Sequence, residues 1–163
     1  MVERIVTAIE AAVLGLWAGA MAGFAFVFAP VAFRAVTRMD TFATLIANAI
    51  RGVGSFGAVC GAVAIVAALI RSTAPKARPL AVARIALVAV AFAASRYETA
   101  AIIPRMEATA AQIAGPIDSV PKSDPRRIAY GEQHQASSRV YGAAFLCVLA
   151  ALVLVPFGRR RPL

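Results

Sequence analysis

Few residues in this sequence can do chemistry, and they lie far apart along the chain. Arg96 and Glu98 stand in an otherwise apolar stretch, His134 is the only histidine, and Ser137 follows it by three residues. Two residues on a helix subtend roughly 200°, so Arg96 and Glu98 face apart and each needs a partner from another element. Asp40 and Glu132 are the candidates for Arg96, and Arg51, Arg105 and Arg139 are those for Glu98. An ionisable group in an apolar setting is costly, so this set reads as a binding pocket for an anion, a metal or a substrate. The plainer reading is an interhelical ion pair that only fixes helix register.

A sole histidine excludes bis-histidine haem ligation and a three-histidine zinc site, and no metal centre is expected. His134 remains a base or single ligand on the helical face of Ser137, with Glu132 or Glu98 as an orienting acid. No Gly-x-Ser-x-Gly elbow accompanies it, and His, Ser and Ser ahead of an apolar helix more often cap that helix. There is no dinucleotide fingerprint, phosphate-binding loop or lipidation motif, so neither a catalytic residue nor a cofactor is assigned.

The elements that must position these residues follow from composition. The chain has 163 residues, enough for one compact unit. Hydrophobic residues make up 61% and charged residues 15%, with a mean hydropathy of +0.77. A core this small cannot bury so much apolar side chain, so the excess must face lipid. Two cysteines exclude a disulfide scaffold, and Cys60 and Cys147 read as small apolar fillers. The net charge of +9 would suggest nucleic acid in a soluble chain. Here the cations sit between apolar runs, with Arg71, Lys76, Arg78 and Arg84 in one gap and Arg159, Arg160 and Arg161 at the end. That placement suits lipid headgroups, so the expected partner is the bilayer and not nucleic acid.

A hydrocarbon core of about 30 Å takes about 20 helical residues. Four stretches qualify, at about 8–33, 52–70, 80–103 and 138–158, so the expected fold is an all-α, integral membrane bundle of four helices in a single domain. The third is interrupted by Arg84, Arg96 and Glu98 and spans only if Arg84 snorkels to one interface. The first resembles a signal peptide in its small residues, but its length and acidic flank favour a retained anchor. Thr41–Arg51 has helical apolar spacing and either extends the second span or lies along the interface. Gly15, Gly19 and Gly23, and again Gly57 and Gly61, repeat at four-residue spacing and predict close helix packing, mainly inside the bundle. Pro30 and Pro104 end spans at the same side, where a kink shapes a cavity mouth.

Four spans put both termini on one side and the 34–51 and 106–137 connections on the other. The long Pro-punctuated connection reads as an exposed loop capping the bundle. Arg96, Glu98, Arg51, Asp40, His134, Ser137 and all three tyrosines then gather at the loop side, while the terminal side reads as simple anchoring. Lys and Arg divide evenly, and the undiluted cations near the termini favour a cytoplasmic terminal side.

Three motifs together resemble the transmembrane protein 205-like family of small four-helix membrane proteins. They are Ala29-Pro30-Val31-Ala32-Phe33, Ile102-Ile103-Pro104-Arg105 and His134-Gln135-Ala136-Ser137. The resemblance covers nearly the whole chain in order and spacing. It implies the four-span fold, a bacterial inner-membrane setting and a shared role for Pro30, Phe33, Pro104, His134 and Ser137, but no reaction. The long connection and the basic tail depart from it. Three functions fit: a non-enzymatic accessory subunit or homo-oligomer docking through the glycine ridges; a small transporter or channel with Arg96 and Glu98 in its path and His134 at its mouth; and a membrane-embedded oxygenase-like enzyme using those three residues as acids and bases.

Overall fold

A computed structural model describes residues 1–72 and 78–158 of the protein. It contains four long helices: α1 (Val2–Ala35), α2 (Asp40–Ser72), α3 (Pro79–Ala111) and α4 (Pro125–Leu154). Each is long and apolar enough to cross a membrane, and no strand occurs among the described residues. Helices of 34, 33, 33 and 30 residues reach about 45–51 Å at 1.5 Å per residue, well beyond a hydrocarbon core of about 30 Å. Their ends therefore extend into the headgroup layers. α1 packs on α2 and α4, and α3 packs on the same two, so successive helices are neighbours around the bundle.

The elements outrun the apolar runs because hydropathy marks the part of a helix in lipid, not where the helix stops. The segment from Thr41 to Arg51 is the first part of α2. The connection expected over 106–137 is shorter, since α3 continues to Ala111 and α4 begins at Pro125. Asp124 starts α4 as its N-cap: its Oδ1 accepts from the Arg126 backbone N–H at 2.8 Å, and Pro125 needs no acceptor in the first turn. The Arg126 guanidinium holds the Asp124 carboxyl well below its usual range, at about 2, with help from that backbone bond. Arg126 also donates to the Gln112 carbonyl at 2.8 Å, and Arg127 donates to the Val120 carbonyl at 2.6 Å. These bonds lace the connection onto the start of α4.

Leu14, Trp17 and Met21 of α1 form one side of the core, against Cys60 and Ala64 of α2, Val88 and Ala91 of α3, and Ala144, Val148 and Ala151 of α4. Small residues on three helices admit the one large ring. The Trp17 indole lies over Gly57 and Gly61: a Cβ at Gly57 would overlap the indole nitrogen, and one at Gly61 would stand 3.2 Å from the ring. The ridge of Gly15, Gly19 and Gly23 has a different place. Nothing lies within 4 Å of a Cβ at any of the three, so this ridge does not pack inside the bundle as the spacing suggested. The inward face of α1 is taken by Leu14, Trp17, Ala18 and Met21 at helical spacing, which leaves the glycines on its flank.

The terminal side holds more than anchoring charges. Glu10 of α1 is buried, and its carboxylate accepts from Arg71 Nη1 of α2 at 2.5 Å and from Arg84 Nε of α3 at 2.6 Å. Arg71 Nη2 also donates to the Val155 carbonyl at the end of α4, at 3.1 Å. Arg84 therefore does not snorkel and Arg71 does not face headgroups; both are 5% exposed or less and turn inward to one carboxylate. A buried guanidinium without an anion is so costly that the nearest carboxylate fixes where each side chain goes.

Two outcomes follow. Glu10→Gln strands two buried cations, and breaking a buried pair costs about 3–5 kcal/mol, so its melting midpoint in detergent drops far below that of Glu3→Gln, a control on the exposed first turn. Equal midpoints would mean that the cluster does not hold the bundle. Gly57→Ala loses about 1–3 kcal/mol through overpacking against Trp17, whereas Gly19→Ala is neutral or stabilising, as judged by the same melts.

Candidate functional site

Two helices change their winding in the half of the bundle away from the termini. α1 is π-helical over Gly23–Phe28 and α3 over Glu98–Ile102, and α-helix resumes at Ala29 and Ile103. In both cases a proline is the second residue of the resumed helix, Pro30 and Pro104. A proline inside a helix offers no N–H and its ring strikes the carbonyl four residues back, here Phe26 or Ala100. A wider turn just ahead of the ring relieves that contact, and π turns of this kind concentrate at functional sites. Pro30 and Pro104 thus lie inside helices instead of ending them. Side chains serve the backbone on either side: Thr99 Oγ1 donates to the Ser95 carbonyl at 3.0 Å, and the Tyr141 hydroxyl donates to the Met21 carbonyl at 3.0 Å.

Between the two rewound segments lies a pocket of about 630 Å³, walled by all four helices. α1 supplies Phe24, Phe26, Ala29 and Phe33; α2 supplies Phe42, Ile46, Ala47 and Ile50; α3 supplies Glu98, Ile103 and Met106. α4 adds Tyr130, His134, Ser137, Ser138, Tyr141, Gly142 and Phe145, and Ile117 reaches in from the connection. Aromatic pairs frame it: Phe24 with Tyr141 at 5.4 Å, Phe26 with Phe145 at 6.5 Å and Phe33 with Phe42 at 5.4 Å between centroids. A smaller cavity of about 320 Å³ shares Ala43, Met106, Ile117 and Tyr130 with it and adds Asp40, Thr44 and Glu107.

The structure separates the residues that the sequence grouped. Glu98 is 2% exposed, and its Oε1 accepts from Ser137 Oγ at 2.6 Å. None of the three arginines proposed as its partners reaches it. Arg51 instead grips Glu107 at 2.7 Å, with Asn48 at 3.4 Å, while Arg105 and Arg139 are exposed. Arg96 lies on the outside of α3, exposed and without a polar partner among the described residues, because the two-residue offset that buries Glu98 turns Arg96 away. Asp40 pairs with Arg38 at 2.7 Å, two residues away, and not with Arg96. His134 lines the pocket at an exposed position, and the Ser137 hydroxyl donates its hydrogen bond to Glu98, so there is no His–Ser pair. Among the described residues, no group of three His, Cys, Asp or Glu side chains is placed to share a metal.

This is an apolar pocket with one polar spot on its wall. Glu98 Oε2 has no partner among the described residues and belongs to the lining, so it can receive a hydrogen bond from a guest. Among the described residues, the one hydrogen bond between two side chains of this lining is that of Ser137 to Glu98. Sequence reasoning missed the wall residues Phe24, Phe42 and Gly142. A signal was present in the two prolines inside apolar runs, each preceded by a residue of the polar spot or its aromatic frame.

No curated protein and no solved structure matches the chain. A family model described as Domain of unknown function (DUF4149) matches residues 12–114, which take in both rewound segments and Glu98. With more than half of its length matched, this multi-pass membrane chain belongs to the DUF4149 family, which is uncharacterised.

Proposed function

We propose that the protein is a membrane-embedded binding protein for a lipid-soluble small molecule. One observation carries this reading: the pocket of about 630 Å³ is lined mainly by apolar side chains, with the buried Glu98–Ser137 hydrogen bond in its wall and His134, Ser138, Tyr130 and Tyr141 as its other polar members. Ligand sites of this kind combine a large apolar surface with a few placed polar groups. An apolar guest from the bilayer loses little by entering, so the polar contact supplies selectivity.

The residues that carry the resemblance to the transmembrane protein 205-like family support the same location. Phe33, His134 and Ser137 line the pocket, and Pro30 and Pro104 follow the two π turns that border it. We extend the family reading to that narrower group on this ground. We also place the termini in the cytoplasm of a bacterial cell, on the charge distribution, so that the pocket lies in the outer half of the membrane. The glycine ridge of α1, open on the outside of the bundle, is the face this reading gives to a second copy or a partner helix.

Gly142 provides the test, since it lines the pocket and a Cβ there meets nothing within 4 Å. Gly142→Phe places a ring at the pocket wall from a Cβ that meets no neighbour. In liposomes, a photoactivatable long-chain alcohol labels the pocket residues of α1 and α4 in the wild type, and that labelling falls by about tenfold or more in Gly142→Phe. Labelling spread over the outer faces, or unchanged in the variant, would falsify the proposal.

A further inference from the structure

The bundle buries two carboxyl groups and treats them differently. Glu10 is met by two arginines, Arg71 and Arg84. Glu98 is met by one hydroxyl, Ser137, in a chain that carries 17 Lys and Arg. Among the described residues, no Lys or Arg lines the pocket. The candidates within reach along the sequence are spent elsewhere or point out: Arg51 is held by Glu107, while Arg96, Arg105 and Arg139 are exposed. Glu98 therefore lines the cavity as an incomplete pair, with Oε2 holding no partner among the described residues.

Resting on the pocket reading above, we propose that the guest is a lipid-soluble amine, whose ammonium group pairs with Glu98 and whose apolar body fills the cavity. Three features select this class. A buried carboxylate is satisfied best by a cation that also donates hydrogen bonds, and an ammonium does both. The lining also carries aromatic rings, among them Phe24, Phe42, Tyr130 and Tyr141, and ring faces attract cations most strongly where water is scarce. An amine can take the Glu98 proton and pair with the carboxylate that remains, whereas a fatty alcohol adds one hydrogen bond and no ion pair, and an ionised fatty acid sets a second negative charge against that carboxylate. The other lining groups that titrate are His134, at an exposed position, and the two tyrosines, none of which is an anion at neutral pH.

The test uses the full chain in nanodiscs of phosphatidylcholine, a lipid without net charge, so that amines do not concentrate at the surface. Binding of tritiated dodecylamine is followed with dodecanol and dodecanoate as competitors of the same chain length. In the wild type, dodecylamine competes at least about tenfold better than dodecanol, and dodecanoate is weakest. Glu98→Gln keeps an oxygen for the Ser137 hydroxyl and so keeps the fold, checked by its helical spectrum and its melting. It brings the amine down to the level of the alcohol and leaves the alcohol unchanged. Gly142→Phe abolishes the binding of both. If dodecanol competes as well as dodecylamine in the wild type, or Glu98→Gln retains the preference, the amine class is overturned. When Gly142→Phe still blocks both probes in that case, the pocket reading stands alone; when it blocks neither, the pocket reading falls as well.

Discussion

Hydrocarbon has no water to offer, so every polar group on a membrane helix must find its partner in protein or reach the interface. In this bundle the Glu10 carboxylate is where that constraint acts most strongly. It draws Arg71 from α2 and Arg84 from α3, and Arg71 reaches on to the Val155 carbonyl at the end of α4. One side chain thus fixes the rotation of three helices against each other and ties in the fourth. Next to it, small residues such as Ala64, Ala91 and Ala151 bring the helices close, and Trp17 fills what remains over Gly57 and Gly61. Rigid closure at the terminal side leaves the opposite half to be shaped by other means.

Those means are the two π turns. In an unbroken α-helix the buried positions Leu14, Trp17 and Met21 continue through 25, 28 and 32. Ala32 keeps its buried place on that face, and Ala29 and Phe33 line the pocket beside it, joining Phe24, Ala25 and Phe26 of the turn. A π turn takes up one extra residue and so advances the helix face by about 100°. Past the core, α1 borders the cavity with the rings of Phe24, Phe26 and Phe33. In α3 the turn begins at Glu98 itself, and both Ile102 and Ile103 are buried just past it. The prolines are the cause on each helix, since they remove the hydrogen bond that would keep regular winding.

Span number and the multi-pass membrane setting were legible, because they depend only on apolar run length. Partner choice was not, because it depends on how each helix is rotated about its axis. The offset between Arg96 and Glu98 shows that only one can face inward but not which one. Glu10 reads as a flanking charge beside Glu3 and Arg4, and its partners lie 61 and 74 residues away. The start of α4 was within reach of the sequence: Asp124-Pro125 is a helix N-cap followed by its preferred first residue. It was hidden by two neighbouring prolines that read as loop.

The same features favour binding over conduction. A path across the membrane would have to continue from the pocket past Leu14, Trp17, Val88 and Val148, all of which are at most 2% exposed, and then through the Glu10 cluster. Opening it would separate a buried carboxylate from two arginines, a cost that no contact in the pocket offsets. The cavity is therefore blind toward the terminal side. Under the proposed binding role a guest would reach Glu98 from the loop-side half, and the free energy of the site would go into affinity and selection at one carboxyl group.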